Sequence, residues 1–419
     1  MFQKIGFRQT DKAYPSTVSG ESSTNVGFWQ MWVLAPILCL FGPFLNAQVF
    51  HDTHFREIAA AALEQTYNCK FEQAATQLSQ LQGTYPDHPA PHFLLATNRW
   101  WQSYISTDDH YHSYIQEELV LALEKNKALK GDPSARLEYV FFQYMSYAFL
   151  TRLYTLRREW FRAANYGRRA LPHLREGLSF ARQSPEFYFS AGIYHYYAAT
   201  YPEAHPYVRP FMVFFPDGDE ELGISELRQA ATVPNFTQAE AMFYLSDIFL
   251  DQPQRRQEAT QLKRQLHEQY PNNAWFQVNY ARSLIIKEEY DAALEVLNPL
   301  IKRMQQIPQH LKRTVNSQET PMSSLVMQHA YYHRGLIYQR TQRPDLAFLD
   351  FQKATQIISL AKREGDPTPA SAWWELGRAY DQQGERKKAL QAYEEALDQE
   401  PSEHVSKRVE ACVDVPCRE

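Results

Sequence analysis

The feature that most constrains this chain is the spacing of small and large side chains in ASAWWELGRAYDQQGERKKALQAYEEALDQEP, residues 370–401. Gly377, Ala389 and Ala396 recur at intervals that place small side chains where two antiparallel helices cross closely. The large side chains that would fill the space around these crossings are Trp373, Leu376, Tyr380 and Tyr393. Gly384 marks a turn between the two helices. The stretch therefore predicts a helical hairpin.

At eight positions between Trp373 and Pro401, this hairpin resembles the tetratricopeptide repeat, a helix–turn–helix unit of about 34 residues. Weaker copies of the pattern, or of its first helix, lie at residues 55–88, 92–105, 137–154, 240–273, 274–307 and 328–361, with a fourth repeat around Gly192. The resemblance covers residues 55–403 and implies an all-α, right-handed superhelical solenoid of about eight helical hairpins. A polar helix after Pro401, leading into a C-terminal cap or tail at residues 404–419, would close its end.

The fourth repeat carries an aromatic and proline-rich insert, residues 201–219, in the turn between its helices. Gly192 occupies a first-helix position and Gly223 a second-helix position, and the interval between them is about 19 residues longer than in an uninterrupted repeat. The prolines of the insert are expected to keep it extended, and Asp219 to act as N-cap of the second helix. Three apolar side chains of the insert are expected to pack on the solenoid or to contact a partner: Phe211, Phe214 and Phe215.

The same region is also similar to a signature of the inclusion-body clearance family of tetratricopeptide proteins and its bacterial relatives. The matching residues are Gly192, Tyr196, Pro202, Gly218, Asp219, Glu221, Leu222, Gly223 and Leu227. This similarity is confined to one short stretch, and it implies a repeat architecture rather than an activity.

The N-terminal residues differ in composition from the repeats. Residues 1–27 are polar and are predicted to form a disordered extension, whereas FWQMWVLAPILCLFGPFLNA, residues 28–47, carries no charged side chain. We interpret this apolar segment as a secretory signal peptide that is cleaved after Ala47. An uncleaved membrane anchor is the alternative, because about 20 apolar residues can span a bilayer. We therefore expect an exported protein, either periplasmic or associated with the cell envelope.

Two cysteines near the C-terminus, Cys412 and Cys417, are close enough in sequence to form a disulfide in an oxidising compartment. Cys69 would then be an unpaired, buried thiol. The alternative is that all of these cysteines simply pack as small apolar side chains.

Charge and motifs argue against a nucleic-acid partner and against catalysis. The net charge is −5, and acidic and basic residues are mixed along the chain. The sequence contains no glycine-rich phosphate loop and no serine-hydrolase or zinc-protease motif. The histidines of HDTH, residues 51–54, and DDHYH, residues 108–112, are interpreted as parts of solvated loops, so no metal and no cofactor are expected.

The resemblance to tetratricopeptide repeats implies a concave groove that is lined by fixed positions of each first helix. Carried over position by position, the predicted groove residues are Trp100, Trp101, Phe189, Tyr196, Tyr197, Tyr244, Trp275, Arg282, Tyr332, Arg340, Trp374 and Arg378. Tyr, Trp and Arg are the residue types that dominate binding energy at protein interfaces. The alternative is that some of these side chains only pack between repeats.

We therefore predict a non-catalytic scaffold or adaptor that holds a protein or peptide in its groove, with membrane contact only through residues 28–47 if they are uncleaved. Binding of a small ligand or glycan is the first alternative, because Tyr and Trp also stack on sugar rings. An enzyme that uses His195 and His205 at the insert is a second alternative. Self-association through the ends of the array is a third.

Overall fold

The computed structural model describes residues 48–180, 184–204, 209–212, 215–306, 324–357, 366–399 and 401–417. Within these residues the chain is helical and contains no strand. The helices are α1 (Thr53–Tyr67), α2 (Phe71–Thr84), α3 (Pro89–Ser106), α4 (Tyr111–Lys125), α5 (Arg136–Leu156), α6 (Trp160–Phe180), α7 (Pro185–Ala204), α8 (Arg209–Met212), α9 (Glu220–Thr232), α10 (Gln238–Leu250), α11 (Arg256–Gln269), α12 (Ala274–Ile286), α13 (Tyr290–Gln306), α14 (Ser324–Arg340), α15 (Pro344–Gln356), α16 (Thr368–Gln382), α17 (Arg386–Asp398) and α18 (Glu403–Asp414).

Residues 1–27 and the apolar segment 28–47 lie outside the described residues, as do residues 308–323 of the polar stretch between α13 and α14. None of the described helices combines the length and the apolar character that crossing a bilayer requires.

The helices pair in chain order as antiparallel hairpins, eight in the described part of the chain. The pairs are α1 with α2, α3 with α4, α5 with α6, α7 with α9, α10 with α11, α12 with α13, α14 with α15, and α16 with α17. Successive hairpins also contact one another, as in a solenoid of stacked repeats. The predicted all-α solenoid of about eight hairpins is therefore confirmed.

Close helix crossings depend on the small residues that the sequence pattern identified. A methyl group added at Gly377 would lie 2.4 Å from the ring of Tyr393, and one added at Gly335 would lie 2.7 Å from the ring of Phe351. Tyr393, Ala389 and Ala396 are completely buried. Each aromatic ring therefore occupies the space that a missing Cβ leaves open, and this contact fixes the separation of the two helices.

Most hairpins turn through one residue with a left-handed backbone. Cys69, Thr107, Arg158, Glu288 and Gln342 follow the first helices α1, α3, α5, α12 and α14, with φ angles between 55° and 63°. In the last hairpin this position is occupied by a glycine, at φ 77°. The turn geometry thus recurs along the array although its residue type does not, which is why single turns are hard to read from the sequence.

The fourth hairpin is tied together at its glycines. A Cβ on Gly223 would lie 2.5 Å from the backbone nitrogen of Tyr196, and a Cβ on Gly192 would lie 2.7 Å from Leu227. Asp219 caps α9, because its carboxylate accepts a hydrogen bond from the Leu222 N–H at 2.9 Å. The predicted N-cap and the close crossing of α7 and α9 are therefore both present.

The expectation that the insert is extended throughout was wrong. Pro202 lies inside α7, which continues to Ala204, and a short helix, α8, follows at Arg209–Met212. Proline in the last turn of a helix removes only one hydrogen bond, so the helix persists through it.

The first helices form an inner layer that closes on itself. Trp101 of α3 packs edge-on against Tyr67 of α1 at 5.5 Å, Phe243 of α10 at 5.8 Å and Phe276 of α12 at 5.9 Å between ring centroids. The Asn273 amide donates a hydrogen bond to the Tyr67 carbonyl at 2.9 Å. Hairpins that are far apart in sequence therefore meet across the inner face.

Helix α18 covers the last repeat. Trp374 is buried beneath it, and the Arg408 guanidinium lies 3.9 Å from the centre of the Trp374 indole ring. The indole N–H of Trp374 donates to the Cys412 sulfur. Cys412 and Cys417 form a disulfide, and Cys69 is a buried free thiol. The C-terminal segment thus shields the apolar end of the array from solvent.

We expect Gly377→Ala to lower the free energy of unfolding by about 1–3 kcal/mol, because the new methyl group has no space beside Tyr393. Gly83→Ala is the matched control, since nothing lies within 4 Å of a Cβ at that helical position. Urea unfolding followed by circular dichroism measures both. Equal stability of the two variants would contradict the close crossing.

Candidate functional site

Four first helices, α3, α5, α7 and α10, enclose a cavity of about 50 Å³ in the inner layer. We call it the aromatic cavity. Its lining residues are Trp100, Trp101, Tyr104, Phe149, Arg152, Phe189, Glu240, Phe243 and Tyr244. All but Arg152 and Glu240 are aromatic. The structure therefore brings four of the predicted groove residues, Trp100, Trp101, Phe189 and Tyr244, to one place.

The carboxyl group of Glu240 is buried beside the aromatic cavity. It accepts hydrogen bonds from the Tyr67 hydroxyl and, at 3.1 Å, from the indole N–H of Trp101. Burial raises the pKa of Glu240, and these two donors only partly oppose that effect. The hydrogen bonds orient both aromatic rings, so this acid positions part of the cavity wall.

Arg152 is exposed and stands beside the cavity on α5. Its guanidinium lies 4.6 Å from the ring centre of Trp100 and donates a hydrogen bond to the Tyr244 hydroxyl at 2.5 Å. An arginine held on an aromatic face keeps free N–H donors for another group. The cavity therefore combines apolar walls with a fixed positive charge.

Tyr197 extends this surface outward from α7. It is 40% exposed, it packs against Tyr196 at 5.2 Å between ring centroids, and it lies within electrostatic reach of Tyr244 and Arg152. Exposed aromatic rings next to an apolar cavity form a surface that is costly to leave in water. We refer to Arg152, Tyr197 and Tyr244 together as the rim.

The prediction of an open groove needs correction at its tryptophans and at Phe189. The residues that the structure buries are Trp100, Trp101, Phe189, Trp275 and Trp374. Trp101 is only 5% exposed because rings from three other helices surround it. Trp275 packs against His329 with 5.1 Å between the ring centroids. Their burial agrees with the alternative that some of the predicted groove side chains pack between repeats.

The other predicted groove residues keep some access to solvent. Tyr197 and Arg340 are exposed, whereas the half-buried members of the set are Tyr196, Tyr244, Arg282, Tyr332 and Arg378. Arg378 donates to the Glu375 carboxylate at 2.9 Å, and burial raises the pKa of Tyr332 to about 12. Their role in binding remains a prediction.

The insert is only partly described. Phe215 is half-buried, whereas Phe214, His205 and the side chain of Phe211 lie outside the described residues. His195 forms a 2.6 Å contact with Glu226 between α7 and α9, so it ties the fourth hairpin together. The Tyr194 hydroxyl donates to the Pro216 carbonyl at 2.5 Å, which fixes the end of the insert on α7.

Among the described residues, no three His, Cys, Asp or Glu side chains are grouped so that they could hold a metal ion. His110 is exposed at the start of α4 and contacts Asp108. His51 is likewise exposed, before α1.

Sequence reasoning missed five members of the site: Tyr104, Phe149, Arg152, Phe243 and Glu240. Phe149 and Arg152 lie in α5, whose 21 residues exceed a regular repeat helix, so the position-by-position comparison gave no groove position there. Glu240 stands at the first position of its repeat. Its acidity in the mainly apolar helix α10 was the visible signal, and it is a weak one because Asp247 lies in the same helix.

A family-model match supports the repeat architecture in the C-terminal part of the chain. Residues 326–399 match the family model described as tetratricopeptide repeat. A tetratricopeptide repeat protein from Parabacteroides merdae is 16% identical, with a TM-score of 0.41, over 76% of this chain and 98% of its own. MamA from Desulfovibrio magneticus is 17% identical, with a TM-score of 0.31, over 49% of this chain and 96% of its own. The C-terminal part of a repeat protein from Cytophaga hutchinsonii is 12% identical, with a TM-score of 0.28, over 73% and 96%. No curated protein matches the chain.

We expect Trp101→Ala to lower the free energy of unfolding by about 3–5 kcal/mol, because it empties a site enclosed by three other rings. Tyr197→Ala should change it by less than about 0.5 kcal/mol, since its ring is partly in solvent. Urea unfolding of both variants measures the two free energies of unfolding and so distinguishes a buried structural ring from a rim residue. Similar losses in the two variants would contradict the assignment.

Glu240 makes stability depend on pH in a definite direction. Its folded pKa is raised above the unfolded value near 4.5, so its contribution is fully present below that pH and is lost as the pH rises through the folded pKa. We therefore expect wild-type stability to fall relative to Glu240→Gln above pH 4.5. Thermal unfolding of both proteins across this range tests the expectation, and parallel curves would rule it out.

Proposed function

We propose that this tetratricopeptide-repeat protein is a non-catalytic scaffold that binds an extended segment of a partner protein at the aromatic cavity and its rim. One apolar side chain of the partner enters the cavity, and neighbouring groups of the partner contact Arg152, Tyr197 and Tyr244. The observation that carries the proposal is an apolar cavity, enclosed by four first helices, with an exposed arginine and an exposed tyrosine beside it.

The size of the cavity favours a side chain over a free small molecule. Sites for small ligands typically measure about 300–1,000 Å³, and the aromatic cavity measures about 50 Å³. A cavity this far below the usual range favours insertion of a single side chain over enclosure of a whole small molecule. Tyr, Trp and Arg around such a cavity match the composition of interface hot spots.

A second concavity, of about 690 Å³, runs along α9, α10 and α11 and does have the volume of a small-ligand site. Its lining is rich in glutamine and glutamate and contains no aromatic ring on which a sugar could stack. The glycan alternative rested on aromatic stacking, so this surface gives it no support.

Export to the cell envelope remains part of the proposal. It rests on the apolar segment 28–47 ahead of the solenoid. The disulfide between Cys412 and Cys417 supports it, because disulfides persist in oxidising compartments such as the periplasm.

A peptide library selected on the full chain tests the binding site. Enriched peptides should share one apolar residue, and replacing that residue by alanine should weaken binding at least about tenfold, as expected for a hot-spot anchor. Arg152→Ala with Tyr197→Ala should weaken binding to a similar degree. Titration of labelled peptides against each variant, followed by fluorescence anisotropy, provides the Kd values.

The matched control is Arg264→Ala with Tyr280→Ala, which removes an exposed arginine on α11 and a half-buried tyrosine on α12, away from the aromatic cavity. We expect the control to bind like the wild type. Peptides that bind the rim variant as tightly as the wild type would exclude the aromatic cavity as the binding site.

A further inference from the structure

The junction between α5 and α6 exposes apolar side chains that the chain itself does not cover. Phe161 is 89% exposed, Trp160 is 57% exposed, and Leu156 also projects into solvent. Single exposed apolar residues are ordinary, but two adjacent aromatic rings at such exposure form a patch. We call these three residues the aromatic tip.

An unusual number of arginines surrounds and follows the aromatic tip. Residues 157–175 contain six arginines and a single acidic residue, Glu159, in a chain whose net charge is −5. In the sequence these arginines form two adjacent pairs and two single residues with other residues between them, so the stretch does not look like a continuous basic block. Helix formation changes that, because residues seven apart return to the same face.

Helix α6 separates its two faces cleanly. The buried residues that pack toward the solenoid are Ala163, Ala170, Leu174 and Gly177. The opposite, exposed face carries Phe161, Arg168, Arg169 and Arg175. The small side chains on the buried face of α6 let this helix pack closely on the solenoid. The arginine side chains lie on the opposite face and are exposed to solvent.

Among the described residues, no carboxylate forms an ion pair with Arg158, Arg168 or Arg169, the three arginines on which the inference depends. Glu159 contacts Arg162 at 3.0 Å and Arg157 at 3.9 Å. Arg168 has only a 3.5 Å contact with the Asn165 amide oxygen. The face therefore presents a cationic surface, with the aromatic tip at its N-terminal end.

We infer that this face of α6 docks on the surface of an anionic lipid bilayer. Trp160 and Phe161 enter the boundary between headgroups and acyl chains, where aromatic side chains are favoured, and the arginines contact lipid phosphates. Basic residues near an anionic membrane each strengthen binding by roughly fivefold at low salt. An acidic protein or an RNA would match the charge, but neither requires a protruding Phe and Trp beside it.

Vesicle flotation of the full chain tests the inference, with phosphatidylcholine alone and phosphatidylcholine mixed with an equal amount of phosphatidylglycerol. We expect at least about tenfold stronger binding to the anionic vesicles, decreasing as salt is added. Trp160→Ser with Phe161→Ser, and Arg158→Glu with Arg168→Glu and Arg169→Glu, should each reduce that binding at least about tenfold. Any binding through residues 28–47 is common to all variants and does not depend on lipid charge.

The matched control is Lys70→Glu with Lys302→Glu and Lys387→Glu, which makes the same change in net charge at exposed sites away from α6. It should float with the anionic vesicles far better than the arginine variant. Equal binding to both vesicle types, equal loss in the control, or α6 variants that bind like the wild type would overturn the inference. So would a chain that binds RNA through these arginines without binding vesicles.

Discussion

The packing of Trp101 among α1, α10 and α12 joins first helices whose hairpins are widely separated in the chain. Its ring touches Tyr67, Phe243 and Phe276, and its N–H donates to Glu240, a residue 139 positions away. In a simple repeat array each hairpin contacts only its neighbours. The free energy of unfolding is then the sum of each hairpin's own stability and of the interfaces between adjacent hairpins. Contacts between distant hairpins make their stabilities depend on one another, so the first and second hairpins stabilise the fifth and sixth.

This closure also determines the form of the candidate site. An open array would expose a long aromatic groove, whereas here five of the predicted groove residues are buried in the inner layer, and four first helices enclose the aromatic cavity. The burial of Glu240 belongs to the same arrangement, because a carboxyl group that accepts hydrogen bonds from Tyr67 and Trp101 holds two cavity-forming helices in register. Beside the aromatic cavity stands the rim, in which Arg152 and Tyr197 are exposed and Tyr244 is half-buried.

The inner and outer helices of the solenoid pack through different kinds of side chain. The first helices face inward and use aromatic rings, whose large apolar area stabilises the closed inner layer. The outer helix α6 packs through Ala163, Ala170 and Gly177, so its backbone approaches α5 closely and its arginines remain in solvent. The same helical hairpin therefore contributes aromatic rings to the apolar interior through its first helix and charged side chains to the outer surface through its second helix.

The sequence by itself determined the helical hairpins, because the spacing of Gly377, Ala389 and Tyr393 is a local pattern that matches the close crossing of two helices in one hairpin. It also located the N-cap at Asp219 and the interruption of the fourth repeat. It could not assign Trp101 or Trp275 to the interior, nor place Arg152 beside Tyr244, because a repeat pattern specifies position within a hairpin and not contact between distant hairpins. It likewise missed the arginine face of α6, since residues that are scattered in sequence become neighbours only on a helix. The tertiary structure decided which aromatic rings are buried and which reach solvent, because burial depends on the surfaces that long-range packing brings together.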